Sequence, residues 1–383
     1  MRKINRRSFL TASAAALALS HLKGCAITNA IQKTGLKDAY GADFLIGTAI
    51  SNHTLETQNS ELLGLIDREF NTITAENCMK SGEIQPSQGN WDWALADRFI
   101  NFGVEHKKTI VGHALVWHSQ VPGDFFVDAN DNQISRDELI RRMDTHIQTL
   151  MERYQGKVSI WDVVNEAIDE DQGWRQSPWY EIFGSAEYME RAFHLAHEME
   201  PDAHLLYNDY NMHNPGKRSF LVDVIRDYKR RGVPMNAIGL QGHVGLDFPN
   251  LTEFERSIEA YAAEGMRIHI TEMDVDALPV AWEHTGAEIS ALEEYAEELD
   301  PYRDGLPAAI EQQLTDRYVE MFEMFIRHRN KIDRVTTWGT YDGESWKNDF
   351  PVQGRTNYPL LFDRSRQRKP AYYAVADLGS QTR

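Results

Sequence analysis

Eight short apolar runs, spaced by amphipathic stretches, set the tightest constraint on how this chain can fold. The runs are Phe44–Ser51, Thr72–Asn77, Thr109–Trp117, Val158–Glu166, His204–Asp209, Ala237–His243, Arg267–Asp274 and Val335–Asp342. The helix-period stretches are Leu62–Phe70, Ala94–His106, Arg136–Tyr154, Glu187–Glu198, Lys217–Arg231, Thr252–Glu264, Gln312–His328 and Ala371–Leu378. In Arg136–Tyr154, Leu139, Ile140, Met143, Ile147, Leu150 and Met151 fall on one helical face. Strands that read as continuous apolar runs are buried on both faces, as in a parallel sheet covered by helices. Eightfold alternation therefore predicts an α/β fold of one closed sheet, a single (β/α)8 TIM barrel. From residue 40 to 383 no linker, low-complexity run or internal repeat breaks the rhythm, so one catalytic-sized domain is expected and no second.

A barrel of this kind places its chemistry on the loops after the strands. Polar and aromatic residues gather there: Glu76 and Asn77, His113 and Trp117, Asn165 and Glu166, Asn208 and Asp209, Gln241 and His243, Glu272 and Asp274, and Trp338. Any one alone would read as a strand end meeting water. Seven decorated ends point to a site.

Two of these residues suit acetal hydrolysis, which needs a proton for the leaving oxygen and negative charge against an oxocarbenium-like centre. Glu166 ends the run Trp161-Asp162-Val163-Val164-Asn165-Glu166, and Glu272 interrupts Ile268-His269-Ile270-Thr271-Glu272-Met273-Asp274. A carboxyl on an apolar strand is costly unless paired, so each needs a function. Strand residues two apart share a face, so Glu272 and Asp274 can point the same way, as can Gln241 and His243. His243 is expected to bridge Glu272 and Asp274, keeping Glu272 ionised as a nucleophile. Glu166, set among aromatic rings, is expected to favour its proton-bearing form, as an acid catalyst requires.

The segments Thr74–Lys80, Gly112–Gln120, Trp161–Ala167 and Ile270–Asp274 resemble the signatures of glycoside hydrolase family 10, the retaining endo-1,4-β-xylanases. The resemblance runs from about Phe44 to about Ala376. It implies that Glu166 is the acid/base and Glu272 the nucleophile. It also implies that Glu76, Asn77, Lys80, His113, Trp117 and Gln120 hold sugars, that Asn165 touches the 2-hydroxyl at the cleaved ring, and that Gln241 and His243 flank the carboxylates. Trp338 and Trp346 match tryptophans that crowd the site, where xylose fits and the hydroxymethyl group of glucose does not. The expected partners are xylan and xylo-oligosaccharides, with no metal or cofactor. A monomer is expected. The rival readings are a β-1,4-glucan or mixed-linkage glucan hydrolase with the same pair, and a non-catalytic xylan-binding surface lipoprotein.

The net charge of −18 excludes a nucleic-acid or anionic-membrane partner as the main ligand, since both demand a basic surface. The local exception is the N-terminus, where residues 1–24 carry five basic residues and no acid. Arg6-Arg7-Ser8-Phe9-Leu10 followed by an Ala-rich run resembles a twin-arginine export signal. Leu22-Lys23-Gly24-Cys25 resembles a bacterial lipoprotein processing site. The expected product begins at Cys25, carries a lipid anchor and a tether over residues 25–39, and works outside the cytoplasm at the cell envelope, or is secreted if unanchored. Cys78, the only other cysteine, is expected as an unpaired thiol. Two decoys are set aside. Asp128–Asn132 begins like a calcium loop, but Gln133 and Leu139 occupy the positions of the required Gly and Glu. His113 and His118 are spaced for opposite strand faces and make poor zinc co-ligands.

Overall fold

The computed structural model describes residues 35–169, 173–279, 299–351 and 353–381. Eight parallel strands form the barrel: β1 Leu45–Ile50, β2 Thr72–Ala75, β3 Thr109–Val116, β4 Ile160–Asn165, β5 His204–Asp209, β6 Ala237–Leu240, β7 Arg267–Asp276 and β8 Ile332–Thr337. Each pairs with the next, and β8 pairs with both β7 and β1, with Leu45 opposite Arg334, so the sheet has no free edge. The main helices are α1 Ser60–Glu69, α2 Ala94–Glu105, α3 Arg136–Arg153, α4 Glu187–Met199, α5 Pro215–Arg231, α6 Leu251–Ala263, α7 Ala308–Arg327 and α8 Pro370–Gln381.

Local chemistry explains the helix boundaries. The Ser135 hydroxyl accepts from the Glu138 N–H to start α3. Asn214 caps α5 ahead of Pro215, and Gly232 ends it in the left-handed conformation at φ 71. On α3, Leu139, Met143, Ile147, Leu150 and Met151 are buried as the spacing predicts, while Ile140 is only partly covered. Each such side chain contributes about 1.5–3 kcal/mol of burial, which is why the periodicity governs the fold.

Several details depart from the sequence reading, among them the end of β8, which stops at Thr337 rather than at Asp342. Strand β8 begins at Ile332, three residues before the predicted start, because Arg334 points into the barrel rather than to solvent. Its Nε donates to His269 Nδ1 at 2.8 Å and its Nη1 donates to Thr336 Oγ1 at 2.8 Å. Strand β6 stops at Leu240, since Gly242 turns the chain at φ 80, and pairing with β7 resumes only at His243–Gly245. After β4, Ile168–Asp169 and Gly173–Trp174 form a small antiparallel hairpin absent from the predicted elements.

At the N-terminal end of the barrel, ligand atoms of His204, His269 and Asp333 lie within 4.8 Å of one another. Arg334 already donates to His269, and Arg267 Nε donates to Asp333 Oδ1 at 2.9 Å. With two arginines on its donors, the cluster is built as an ion-pair network rather than a cation site. The Asp128 segment is a tight turn, its Oδ1 accepting from the Asn130 and Asn132 amides. Cys78 is a buried free thiol. The export signal, Cys25, the tether up to residue 34 and residues 280–298 after β7 lie outside the described residues.

Candidate active site

A cavity of about 560 Å³ opens at the C-terminal end of the barrel. All of the expected sugar-contacting residues line it: Glu76, Asn77, Lys80, His113, Trp117, Gln120, Trp338 and Trp346. Asn165, Glu166, Gln241, His243 and Glu272 line it too, and Asp274 lies fully buried behind its wall.

Glu166 sits one residue beyond β4 in the left-handed region, at φ 57. Its Oε2 accepts from the Trp117 indole N–H at 2.8 Å, and its Oε1 accepts from the Gln241 amide at 2.9 Å. Trp117 is itself held through its carbonyl, which accepts from the Trp179 indole at 2.8 Å. Thus the carboxyl at the end of β4 meets an aromatic ring and a neutral amide.

Glu272 has a different setting. Its Oε1 accepts from Asn208 Nδ2 at 2.7 Å, and its Oε2 lies 3.2 Å from His243 Nε2. The amide is held this way round by Glu272 Oε1, an acceptor that a flipped Oδ1 could not serve, and Asn208 Oδ1 accepts from the Thr271 hydroxyl at 2.6 Å. Gly239 leaves the space that this amide needs, for a Cβ there would fall 2.3 Å from Asn208 Oδ1. The other ring nitrogen of His243 lies 3.0 Å from Asp274 Oδ2, so the imidazole stands between two carboxylates. Asp274 Oδ2 also accepts from the Trp346 indole at 2.8 Å.

Burial opposes the charge on His243, but Asp274 and Glu272 outweigh it and raise its pKa to about 9. Burial also opposes the charge on Asp274; His243, Lys347 and the Trp346 N–H reverse that effect and hold it below the usual carboxylate range. At neutral pH His243 is therefore an imidazolium, paired with the Asp274 carboxylate and set against Glu272. Since folding raises the His243 pKa above its unfolded value of about 6.5, its stabilisation is complete below that value and disappears as pH rises through about 9. His243→Gln is expected to lower the melting temperature most near pH 6 and least above pH 9. Melting curves of both proteins across that range test this, and a constant difference would refute the imidazolium.

The opposite side of the cavity is equally specified. His113 Nδ1 lies 2.7 Å from buried Asp162 Oδ2, which selects the Nδ1–H tautomer and leaves Nε2 for the cleft. Lys80 Nζ donates to Asn77 Oδ1 at 2.9 Å and to Gln120 Oε1 at 2.7 Å, and sits 4.8 Å from the Trp117 ring centre. Burial, only partly opposed by Lys80, pushes Glu76 up to about 7, and its Oε2 has no protein partner. Such an oxygen is suited to a ligand hydroxyl.

Sequence reasoning named Asn208 only among the polar strand ends and gave no role to Tyr210, Asn211, Phe248, Lys347 or Phe350. Asn208 contacts Glu272, and the other five line the cavity. The first three belong to the polar run Asn208-Asp209-Tyr210-Asn211 at the end of β5, a signal that was readable. Phe248 and Phe350 are 41% and 43% exposed at the cavity, and a lone exposed aromatic carries no such signal in sequence.

Comparison with known proteins adds a family and relatives. The model of glycosyl hydrolase family 10 matches residues 35–378. Endo-1,4-beta-xylanase A of Xylanibacter ruminicola is 42% identical over 343 residues, which covers 90% of this chain and 93% of the relative. A GH10 endoxylanase structure retrieved from a sugarcane soil metagenome is 48% identical, has a TM-score of 0.85, and covers 90% of this chain and 99% of its own. A mutant structure in complex with xylotriose is 30% identical with a TM-score of 0.80, covering 90% of this chain and 99% of that chain.

Proposed function

The chain belongs to glycosyl hydrolase family 10, and from that premise we propose that it is a retaining endo-1,4-β-xylanase with Glu166 as acid/base and Glu272 as nucleophile. The observation that carries the assignment of roles is the contrast between the two carboxyl groups. Glu272 is backed by a positively charged imidazole and a fixed amide donor, whereas Glu166 meets an indole and a neutral amide.

In the first step Glu166 gives its proton to the glycosidic oxygen while Glu272 attacks the anomeric carbon from the opposite face, forming a glycosyl-enzyme and releasing the leaving chain. In the second, Glu166 as carboxylate takes a proton from water, the hydroxide attacks the same carbon, and Glu272 departs. Two inversions give net retention. The imidazolium of His243 steadies Glu272 whenever it is free, and Gln241 ties the steps together: its side chain donates to Glu166, and its carbonyl accepts from the Glu272 N–H at 2.8 Å. The open groups at Glu76, Asn77, Lys80 and His113 suit equatorial hydroxyls, and Trp117 offers a face to pyranose C–H groups.

Trp338 and Trp346 are proposed to set the preference for xylose by filling the space a C6 hydroxymethyl would need. The xylan rate should then exceed the carboxymethylcellulose rate by roughly ten- to a hundredfold, the range for discrimination by pocket shape. Initial reducing-sugar release on both polymers tests this. Comparable rates would favour a glucan hydrolase, and no release from xylan at high enzyme would leave only a binding protein. A polymer of this size cannot enter a cell, which supports export through residues 1–24; anchoring at Cys25 rests on the Leu22-Lys23-Gly24-Cys25 segment. Cys25→Ala should move the protein from the membrane to the soluble fraction; an unmodified N-terminus elsewhere would remove the anchor.

A further inference from the structure

We propose that a clamp on the peptide joining Glu166 to Ala167, made by Arg175 on its carbonyl and by a buried Lys217–Asp209–Tyr207 chain on its N–H, positions the Glu166 carboxyl for proton transfer. The inference rests on the reading of Glu166 as acid/base. It begins from the backbone: at φ 57 Glu166 holds a conformation that costs a residue with a side chain free energy and persists only where its surroundings enforce it. The enforcing contacts are present on both sides of the Cα. The Glu166 N–H donates to the Asn208 carbonyl at 2.9 Å, its carbonyl accepts from Arg175 Nε at 2.8 Å, and the next amide, of Ala167, donates to the Tyr207 hydroxyl at 3.1 Å.

Each outer contact is itself anchored. Arg175 Nη2 donates to the hydroxyl of Tyr210 at 2.7 Å, so the guanidinium is held at both ends. The Tyr207 hydroxyl, having accepted from Ala167, gives its own proton to Asp209 Oδ2 in a short contact. Asp209 Oδ1 in turn accepts from Lys217 Nζ at 2.7 Å and from the Tyr210 N–H at 2.8 Å. The Lys217–Asp209 pair is fully buried, with both side chains at 0% exposure. Such a pair gives little stability over an apolar replacement, because desolvation offsets the attraction. Its place beside the peptide of the acid supplies a different reason for it. Lys217 holds the Asp209 carboxyl in place, Asp209 fixes the Tyr207 hydroxyl, and that hydroxyl fixes the peptide from which the Glu166 carboxyl swings. None of these four side chains touches the reacting atoms, so they are positioning residues.

Only the proton transfer should suffer when the clamp is loosened, because Glu272 is held by other groups. Tyr207→Phe removes the acceptor for Ala167, and Arg175→Lys keeps the charge but removes the Nε fork. In the full chain, kcat/KM on phenyl xylobioside, whose leaving group needs a proton, should fall roughly ten- to a hundredfold, the scale set by misplacing a catalytic group by about an ångström. On 2,4-dinitrophenyl xylobioside, which needs none, kcat/KM should change less than about twofold, since the attack geometry is intact. The plot of log kcat/KM against leaving-group acidity would steepen in both variants, a signature that loss of general packing does not produce. Melting temperatures identify a variant that is merely unstable, and Arg175→Lys then decides. Equal losses on the two substrates, or no loss on either, would overturn the clamp. Glu166→Ala measured alongside separates the two ideas: if it shows no leaving-group selectivity, the acid/base reading fails; if it does while the clamp variants do not, only the clamp fails.

Discussion

Glu272→Ala is expected to abolish turnover on every substrate, activated or not, with kcat/KM lower by at least ~10⁵-fold, about 7 kcal/mol at 1.36 kcal/mol per decade. The magnitude follows from the absence of a substitute. The other carboxyl groups near Glu272 offer no replacement: Asp274 is fully buried behind His243, Glu166 is held by Trp117 and Gln241, and Glu76, beside Asn77 and Lys80, is pushed by burial toward its protonated form at about 7. Removing Glu272 also leaves His243 charged with one carboxylate instead of two, so its pKa should drop from about 9 toward the ordinary histidine value. Binding should survive, because Lys80, Asn77, Gln120 and Trp117 form their own network across the cavity. Titration of the variant with xylotriose checks the binding, and mass spectrometry after mixing with an activated 2-fluoroxyloside checks for the glycosyl adduct. A labelled adduct in the Ala variant would assign the nucleophile elsewhere.

Much of this arrangement was legible because it obeys simple periodicities. The eight apolar runs and eight helical stretches register which surfaces must leave water, and a closed barrel is the architecture that satisfies them all. The bridging position of His243 followed from the two-residue period of β7, even though β6 breaks at Gly242 before His243 is reached. What stayed hidden were contacts made across the barrel. Arg334 reads as a surface residue until His269, Thr336 and the nearby Asp162 are brought around it in the interior. Asn208 lies near a strand end like several other polar residues, and only folding brings its amide between Thr271 and Glu272. Likewise the left-handed residue at Glu166 is itself neither glycine nor asparagine, since tertiary contacts impose the turn against local preference.

Glu166→Ala should fail in a different way from Glu272→Ala, and the difference is the strongest test of the proposed roles. Without Glu166 the leaving oxygen receives no proton, so xylan and phenyl xylosides should lose roughly 10²–10⁴-fold in kcat/KM, the usual contribution of general acid–base catalysis. Dinitrophenyl xylosides leave without a proton, so their glycosylation step should remain close to the wild-type rate. The second step then becomes limiting, because no carboxylate is present to deprotonate the incoming water, and glycosyl-enzyme should accumulate. Azide, an anion that needs no deprotonation and fits the space of the lost carboxyl, should release the intermediate faster and yield the β-glycosyl azide. The site is suited to receive it, since the Trp117 and Gln241 N–H donors that face Glu166 would be left without their acceptor. Proton NMR of early wild-type products should show the β anomer, and of the azide reaction the β azide. An α product from wild type, or a Glu166→Ala enzyme equally dead on activated and unactivated substrates, would show that the two carboxyl groups do not divide the work in this way.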